Sequence, residues 1–169
     1  NANGSTAIWL LNNGVLQSSG GLGTVANDWR IVGIADFNAD NKADILWRST
    51  TGETAIWLMN GTSLQSSAGL GTVTNDWRIV GVGDFNGDGK ADILWRNDST
   101  AYAMWFMNGA AVASSAAVGN IGSDWHLAGT NDYNADGKAD LLWRQDSGTV
   151  GVWLMNGANC CLLLKRQLV

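Results

Sequence analysis

The sequence predicts an all-β chain built from repeated four-stranded sheets, and three observations lead there. All ten tryptophans fall into three series spaced by 48 residues: Trp9, Trp57, Trp105 and Trp153; Trp29, Trp77 and Trp125; Trp47, Trp95 and Trp143. An acidic stretch recurs at the same spacing, as DFNADNKAD from Asp36, DFNGDGKAD from Asp84 and DYNADGKAD from Asp132. Short runs between these stretches are apolar on both faces: Ile56 and Leu58 point one way, Trp57 and Met59 the other. Strands of that kind must be covered on both sides. A fixed period of this length marks stacked supersecondary units. Four-stranded units that are apolar on both faces and polar at the outer edge are the blades of a β-propeller.

Each unit divides into four expected strands. Strand A, Trp77 to Phe85, feeds the acidic loop, and strand B, Asp92 to Arg96, leaves it. Strand C is Ala103 to Met107, with Thr54 to Met59 as its equivalent. Asn-Gly pairs follow at Asn60-Gly61, Asn108-Gly109 and Asn156-Gly157, residues suited to a type I′ hairpin turn. The first copy has Asn12-Asn13-Gly14 instead. Strand D, Leu64 to Ser67, is polar and suits an outer edge, with Gly69-Leu70-Gly71 leading into the next unit. The chain thus reads as a partial blade (1–27), repeats at 28–75, 76–123 and 124–157, and a divergent tail (158–169). That is about three and a half blades, whereas propellers commonly close at about 4–8. The expectation is a ring completed by a second chain or by further sequence, that is, a homo-oligomer or part of a longer chain. The tail from Cys160 to Val169 reads as a closing strand, an oligomer contact or a foreign end.

Composition narrows the class. At 46% hydrophobic residues the chain is not of the disordered type. It has no proline, and 22 glycines must supply most of the turns. Net charge is −5, and nine of the fifteen acidic residues sit in the three acidic loops, so the acidity is local. The ten Lys and Arg are spread thinly, which argues against a nucleic-acid partner. No apolar run approaches the ~20 residues of a membrane span. No charged-then-apolar leader is seen, so a secreted protein would be represented here in mature or fragment form. Cys160 and Cys161 are neighbours and read as free thiols, not as a disulfide framework.

The acidic stretch carries the chemistry. Oxygen-bearing side chains stand at its first, third, fifth and ninth positions, and a glycine follows the third of them in two copies. A short loop wraps a hard cation in this way, and a divalent ion would relieve the mutual repulsion of the acids. The competing reading is that the carboxylates cap turns by accepting backbone hydrogen bonds. An EF-hand needs a Glu at position twelve, where this chain has Trp95, and a strand follows instead of a helix.

The stretch resembles the loops of FG-GAP/VCBS-type repeats, best known from the calcium-binding blades of integrin α-subunit propellers. The resemblance implies side-chain ligands from Asp84, Asn86, Asp88 and Asp92 and a carbonyl ligand from Lys90. It assigns the same roles to Asp36, Asn38, Asp40, Lys42 and Asp44, and to Asp132, Asn134, Asp136, Lys138 and Asp140. About three Ca²⁺ per chain follow, with Mg²⁺ less suited because it demands octahedral geometry. Asn41 stands where the other loops have Gly89 and Gly137, a change Asn tolerates because it adopts positive φ more readily than most residues. Affinities of about 10⁻⁴–10⁻³ M, those of extracellular modules, imply a secreted, extracellular or cell-surface location.

No catalytic set is legible, and the chain is not expected to be an enzyme. His126, the single histidine, replaces Arg30 and Arg78 of the other units and has no partner at a recognisable spacing. Glu53 stands alone in a turn. Trp29, Trp77 and Trp125, each beside Arg30, Arg78 or His126, are candidate rim residues for a sugar, since an aromatic face covers C–H groups while polar neighbours take hydroxyls. Strand-edge capping is the competing role. By analogy with fungal and bacterial propeller lectins, the expectation is a calcium-stabilised, non-enzymatic, multivalent carbohydrate-binding propeller whose partner is a glycan or glycoprotein. The alternatives are a protein-binding adhesion or scaffold module, or a propeller attached to a secreted enzyme.

Overall fold

The structure is a computed structural model that describes residues 4–167, with side chains described as far as Cys160. All regular structure among the described residues is β. A two-stranded sheet, β1 (Ser5–Asn12) with β2 (Val15–Thr24), comes first. Three four-stranded antiparallel sheets follow. They are β3 (Trp29–Ala35), β4 (Asp44–Ser49), β5 (Glu53–Asn60) and β6 (Ser63–Thr72); then β7 (Trp77–Gly83), β8 (Asp92–Asn97), β9 (Ala101–Met107) and β10 (Val112–Asn120); then β11 (Trp125–Asn131), β12 (Asp140–Gln145), β13 (Thr149–Asn156) and β14 (Asn159–Gln167). In each, strands pair in chain order, the meander of a propeller blade. The chain is a partial propeller of half a blade plus three.

Two compact units can be distinguished. Unit 1 extends to Asn75 and includes Gly109–Ala111; unit 2 comprises Asp76–Asn108 and the chain from Val112 onward. In unit 2, Phe85, Leu94, Tyr102, Met104, Leu141, Trp143 and Met155 form one buried cluster. In unit 1, Ile45, Trp47 and Met59 form another, with Ile8, Leu22, Trp29 and Trp57 packed against it.

The tryptophan spacing has a simple cause. Strand register sets Ile45 opposite Trp57 and Trp47 opposite Ala55, which makes the two indoles diagonal neighbours on one face. Their centroids lie 5.0 Å apart at 57°. The equivalent pairs are Trp95–Trp105 at 4.8 Å and Trp143–Trp153 at 5.3 Å. Each B–C hairpin is therefore held by the same tilted aromatic pair, worth about 0.5–1.5 kcal/mol beyond its area burial.

Three expectations change. Strand D runs through the glycines: β6 reaches Thr72, and Thr54 and Ala55 pair with Gly71 and Gly69, leaving Leu70 as the extra residue of a bulge. Gly71, at φ 97°, supplies a bulge, not a linker. The hairpin turns also differ. Asn60 pairs with Ser63, so the turn residues are Gly61 and Thr62, with φ positive only at Gly61 (62°), the pattern of a type II′ turn. Gly157-Ala158 repeats it. Only Asn13-Gly14, at φ 50° and 78°, has both residues positive as type I′ requires. Finally, the divergent tail is a fourth strand: the backbone of β14 pairs antiparallel with β13, Trp153 opposite Leu163. Residues 168 and 169 lie outside the described part.

Trp143 is 1% exposed and Trp9 69% exposed. Trp143→Ala is expected to destabilise the chain by about 3–5 kcal/mol. Trp9→Ala should stay within about 0.5 kcal/mol. Urea unfolding followed by far-UV circular dichroism checks the pair.

Candidate functional site

Each acidic loop is folded on its own hydrogen bonds. Asp84 Oδ1 accepts from the N–H groups of Gly87 (2.7 Å) and Asp88 (3.2 Å), and Oδ2 from Gly89 (2.7 Å). Asn86 Oδ1 accepts from Asp88 N–H, and Asp88 Oδ1 from Lys90 N–H. The first loop repeats this through Asp36, Asn38 and Asp40, and the third through Asp132, Asn134 and Asp136. Backbone donation, led by Gly137 N–H, holds the Asp132 carboxyl below its ordinary value against the opposing effect of burial. This turn-capping role is the one that competes with cation binding.

The turn needs two left-handed residues, not one. Position six is left-handed in all three loops, at Asn41 (φ 61°), Gly89 (84°) and Gly137 (84°). Position four is too, at Ala39 (63°), Gly87 (80°) and Ala135 (61°). Asn41 thus adopts the conformation expected of it, while the alanines carry a strain that was not legible in the sequence.

The ninth aspartate works differently from the others. Asp92 is fully buried, and its two oxygens serve two distant backbone donors, Phe85 N–H (3.1 Å) and Met107 N–H (2.9 Å). Asp44 does the same for Phe37 and Met59, and Asp140 for Tyr133 and Met155. Each ties the acidic loop to the end of strand C. Burial pushes the Asp92 carboxyl up to about 7, with Asp88 and Asp84 adding to the rise and the two N–H donors opposing it. Asp44 is raised for the same reasons, with Asp40 and Asp36 as the neighbouring charges.

The lysines add a second feature. Besides the carbonyls assigned to them, their ammonium groups approach the fifth-position aspartates: Lys42–Asp40 at 3.2 Å, Lys90–Asp88 and Lys138–Asp136 at 3.9 Å. Among the described residues no three acidic, histidine or cysteine side chains converge as a metal cage. The donor set itself, carboxylate, amide and carbonyl oxygens within nine residues, is that of a hard cation.

Of the rim candidates, Trp29 and Trp125 are half-buried against the cores of their units, and Trp77 is half-buried. Arg30, Arg78 and His126 are exposed. His126 does have a partner, twenty residues on: its Nε2 lies 2.8 Å from Asp146 Oδ1, as Arg78 lies 3.1 Å from Asp98. Both are surface pairs that join strand A to the turn just after strand B. A cleft of about 250 Å³ lies where Trp29, Trp47 and Trp57 meet in unit 1. In unit 2 Tyr102 packs edge-on against Trp143 (5.2 Å). Thr6 holds the equivalent position in unit 1 and is too small to do so.

Sequence reading missed an open groove of about 630 Å³ in unit 2. Asn86, Asp88 and Lys90 line it together with Phe106, Asn108, Asn156 and Asn159 and several small residues. The groove juxtaposes an acidic loop with the turns that end two strands C, residues that are far apart in the chain. Only the recurrence of Asn before each turn hinted at it.

Two outcomes test this geometry. Asp92→Ala leaves two buried N–H donors without acceptors, and a loss of about 2–4 kcal/mol is expected in urea unfolding. The pH dependence follows from the raised values. A carboxyl whose folded value exceeds its unfolded value near 3.8 contributes stability below that value and loses it as pH rises through the folded one. In EDTA the chain should therefore melt at lower temperature at pH 8 than at pH 5, and Asp92→Asn should flatten that dependence. Equal melting temperatures at both pH values would contradict it.

The FG-GAP-like repeat family matches residues 36–95 and again 84–143. Comparison with curated proteins returns no match. The matched segments together span most of the chain and take in all three acidic loops, each seated between strands A and B of a four-stranded sheet, and the chain belongs to the FG-GAP-like repeat family.

Proposed function

We propose that this chain is a calcium-stabilised recognition module of the adhesion type that binds carbohydrate without turning it over. One observation carries the ligand class: the unit 2 groove sets the aromatic ring of Phe106 among the polar groups of Asn86, Asp88, Asn108, Asn156 and Asn159. The amides there donate to and accept from vicinal hydroxyls and the Asp88 carboxylate accepts from them, while an aromatic ring covers a sugar's C–H face. The loop and the Asn-Gly pair recur at 48-residue spacing, with Leu58 and Leu154 where this groove has Phe106, so a ligand with repeated sugars would gain avidity from the recurring polar groups.

Calcium has a structural part in this reading. Asp84, Asn86, Asp88, Asp92 and the Lys90 carbonyl would hold one ion, and the equivalent residues of the other two loops would hold one each. The cation supplies positive charge among crowded carboxylates, and the loop joins strands A and B, so its binding stiffens one wall of the groove. A calcium-dependent module of this kind works outside cells, where the ion is plentiful. His126 and Asp146 stand exposed on the strand A–B surface and are assigned to structure, not to proton transfer.

Calorimetric titration is expected to give about three calcium ions per chain with dissociation constants of about 10⁻⁴–10⁻³ M, and a melting temperature that rises with calcium. No binding at millimolar calcium removes the metal half of the proposal. For the ligand half, a glycan array run with calcium and with EDTA should show calcium-dependent signals that Phe106→Ala and Asn156→Ala each weaken by about tenfold. An array blank in calcium rejects the carbohydrate reading in favour of a protein ligand.

A further inference from the structure

The second and third acidic loops touch, and both lie within unit 2. Asp84, the first residue of the second loop, accepts at its carbonyl the N–H of Ala139 in the third, at 2.6 Å. The stem of Lys138 lies across Gly87, where a Cβ would stand 3.3 Å from Lys138 Cγ. A Cβ at Gly83, just before the second loop, would stand 2.7 Å from the Ala139 Cβ, well inside the distance at which carbons pack. Phe85 and Ala139 share one buried cluster. The equivalents of Gly83 are Ala35 and Asn131, and those of Gly87 are Ala39 and Ala135. Only the second copy has glycine at both positions, and these are the two that the third loop approaches.

The contact passes through a single peptide group. Lys138 supplies its carbonyl and Ala139 its N–H, and the group is planar, so fixing one direction fixes the other. The N–H is committed to Asp84. The carbonyl is the one that the calcium reading assigns to the third loop's ion. On the other side, Asp84 is held at its backbone by that N–H, while Gly87 and Gly89 N–H hold its carboxylate. That carboxylate is the first donor assigned to the second loop's ion. A carbonyl that lends a lone pair to a cation polarises its peptide and makes the N–H a stronger donor, as hydrogen bonds in series strengthen one another. Order imposed on either loop is therefore passed to the donor set of the other.

We propose that the second and third loops take up calcium as a coupled pair, each ion raising the affinity for the other through the Lys138–Ala139 peptide. The proposal rests on the calcium reading above and adds a regulation to it. Lys138 is a positioning residue here: its stem sits on the second loop while its carbonyl serves the third. Asn86, Asp88 and Lys90 of the second loop also line the unit 2 groove, to which the third loop contributes no residue. An ion in the third loop thus steadies a groove wall that it does not itself form.

The amides of Gly89 and Gly137, at position six of the two loops, report on them separately. The isotope-labelled whole chain is titrated with calcium chloride and these two amides are followed by heteronuclear NMR. They are expected to move together, with a Hill coefficient greater than one. Two bound cations repel, so charge alone would drive the coefficient below one. Asp136→Asn removes a charge from the third loop yet keeps an oxygen for Lys138 N–H, and is expected to raise the Gly89 midpoint by about fivefold or more. Asp88→Asn, its counterpart in the second loop, should raise the Gly137 midpoint by a matching factor, because coupling is reciprocal. A Hill coefficient of one or less, or a Gly89 midpoint that Asp136→Asn leaves unchanged, overturns the coupling while calcium binding stands. If neither amide moves up to about 10 mM calcium, the calcium reading and this proposal fall together. Should a variant unfold, the Hill coefficient of the unaltered chain decides.

Discussion

The structure depends on a buried carboxylate used three times. Asp44, Asp92 and Asp140 begin strand B in their sheets, and each spans two backbone donors fifteen and seven residues away in sequence. A single side chain thereby locks the acidic loop, the start of strand B and the end of strand C into one body. At Asp44 and Asp92 both donors are buried, and at Asp140 the Met155 donor is, so losing the acceptor costs more than the bonds themselves contribute. The rest of each blade, including the paired tryptophans of strands B and C, is built around that point.

The staple carries an electrostatic consequence. Placing a carboxyl in the interior beside two more acids raises its proton affinity, as at Asp92 and Asp44. The loop answers part of the charge internally, with backbone N–H groups on the first aspartate and a lysine ammonium near the fifth position. In the function proposed above, a calcium ion answers the remainder. Rigidity then passes from the loop into the groove it borders, since Asn86, Asp88 and Lys90 belong to both.

Incomplete pairing matters as much as the complete blades. Exposed apolar edge strands are templates for further strand pairing, and proteins usually blunt or cover them. β1 has neither a charge nor a proline along Ser5–Asn12, and its Trp9 and Leu11 lie open.

The sequence by itself determined the period, the four strands per unit, the tryptophan series and the acidic loops, because each is a local pattern repeated at one spacing. It misplaced details governed by φ at single positions: the Gly61-Thr62 turn in place of Asn60-Gly61, the Leu70 bulge, and the left-handed Ala39 and Ala135. Those depend on how a twisted sheet takes up an extra residue, which side-chain pattern does not record. Tertiary structure alone decided the double duty of the ninth aspartate, the Asp146 partner of His126, and the gathering of Asn108, Asn156 and Phe106 beside the second loop. Each joins residues brought together only by strand pairing or by the packing of one sheet on the next. Such contacts leave no trace in spacing along the chain, so the position and recurrence of the loop were legible in the sequence while the groove beside it was not.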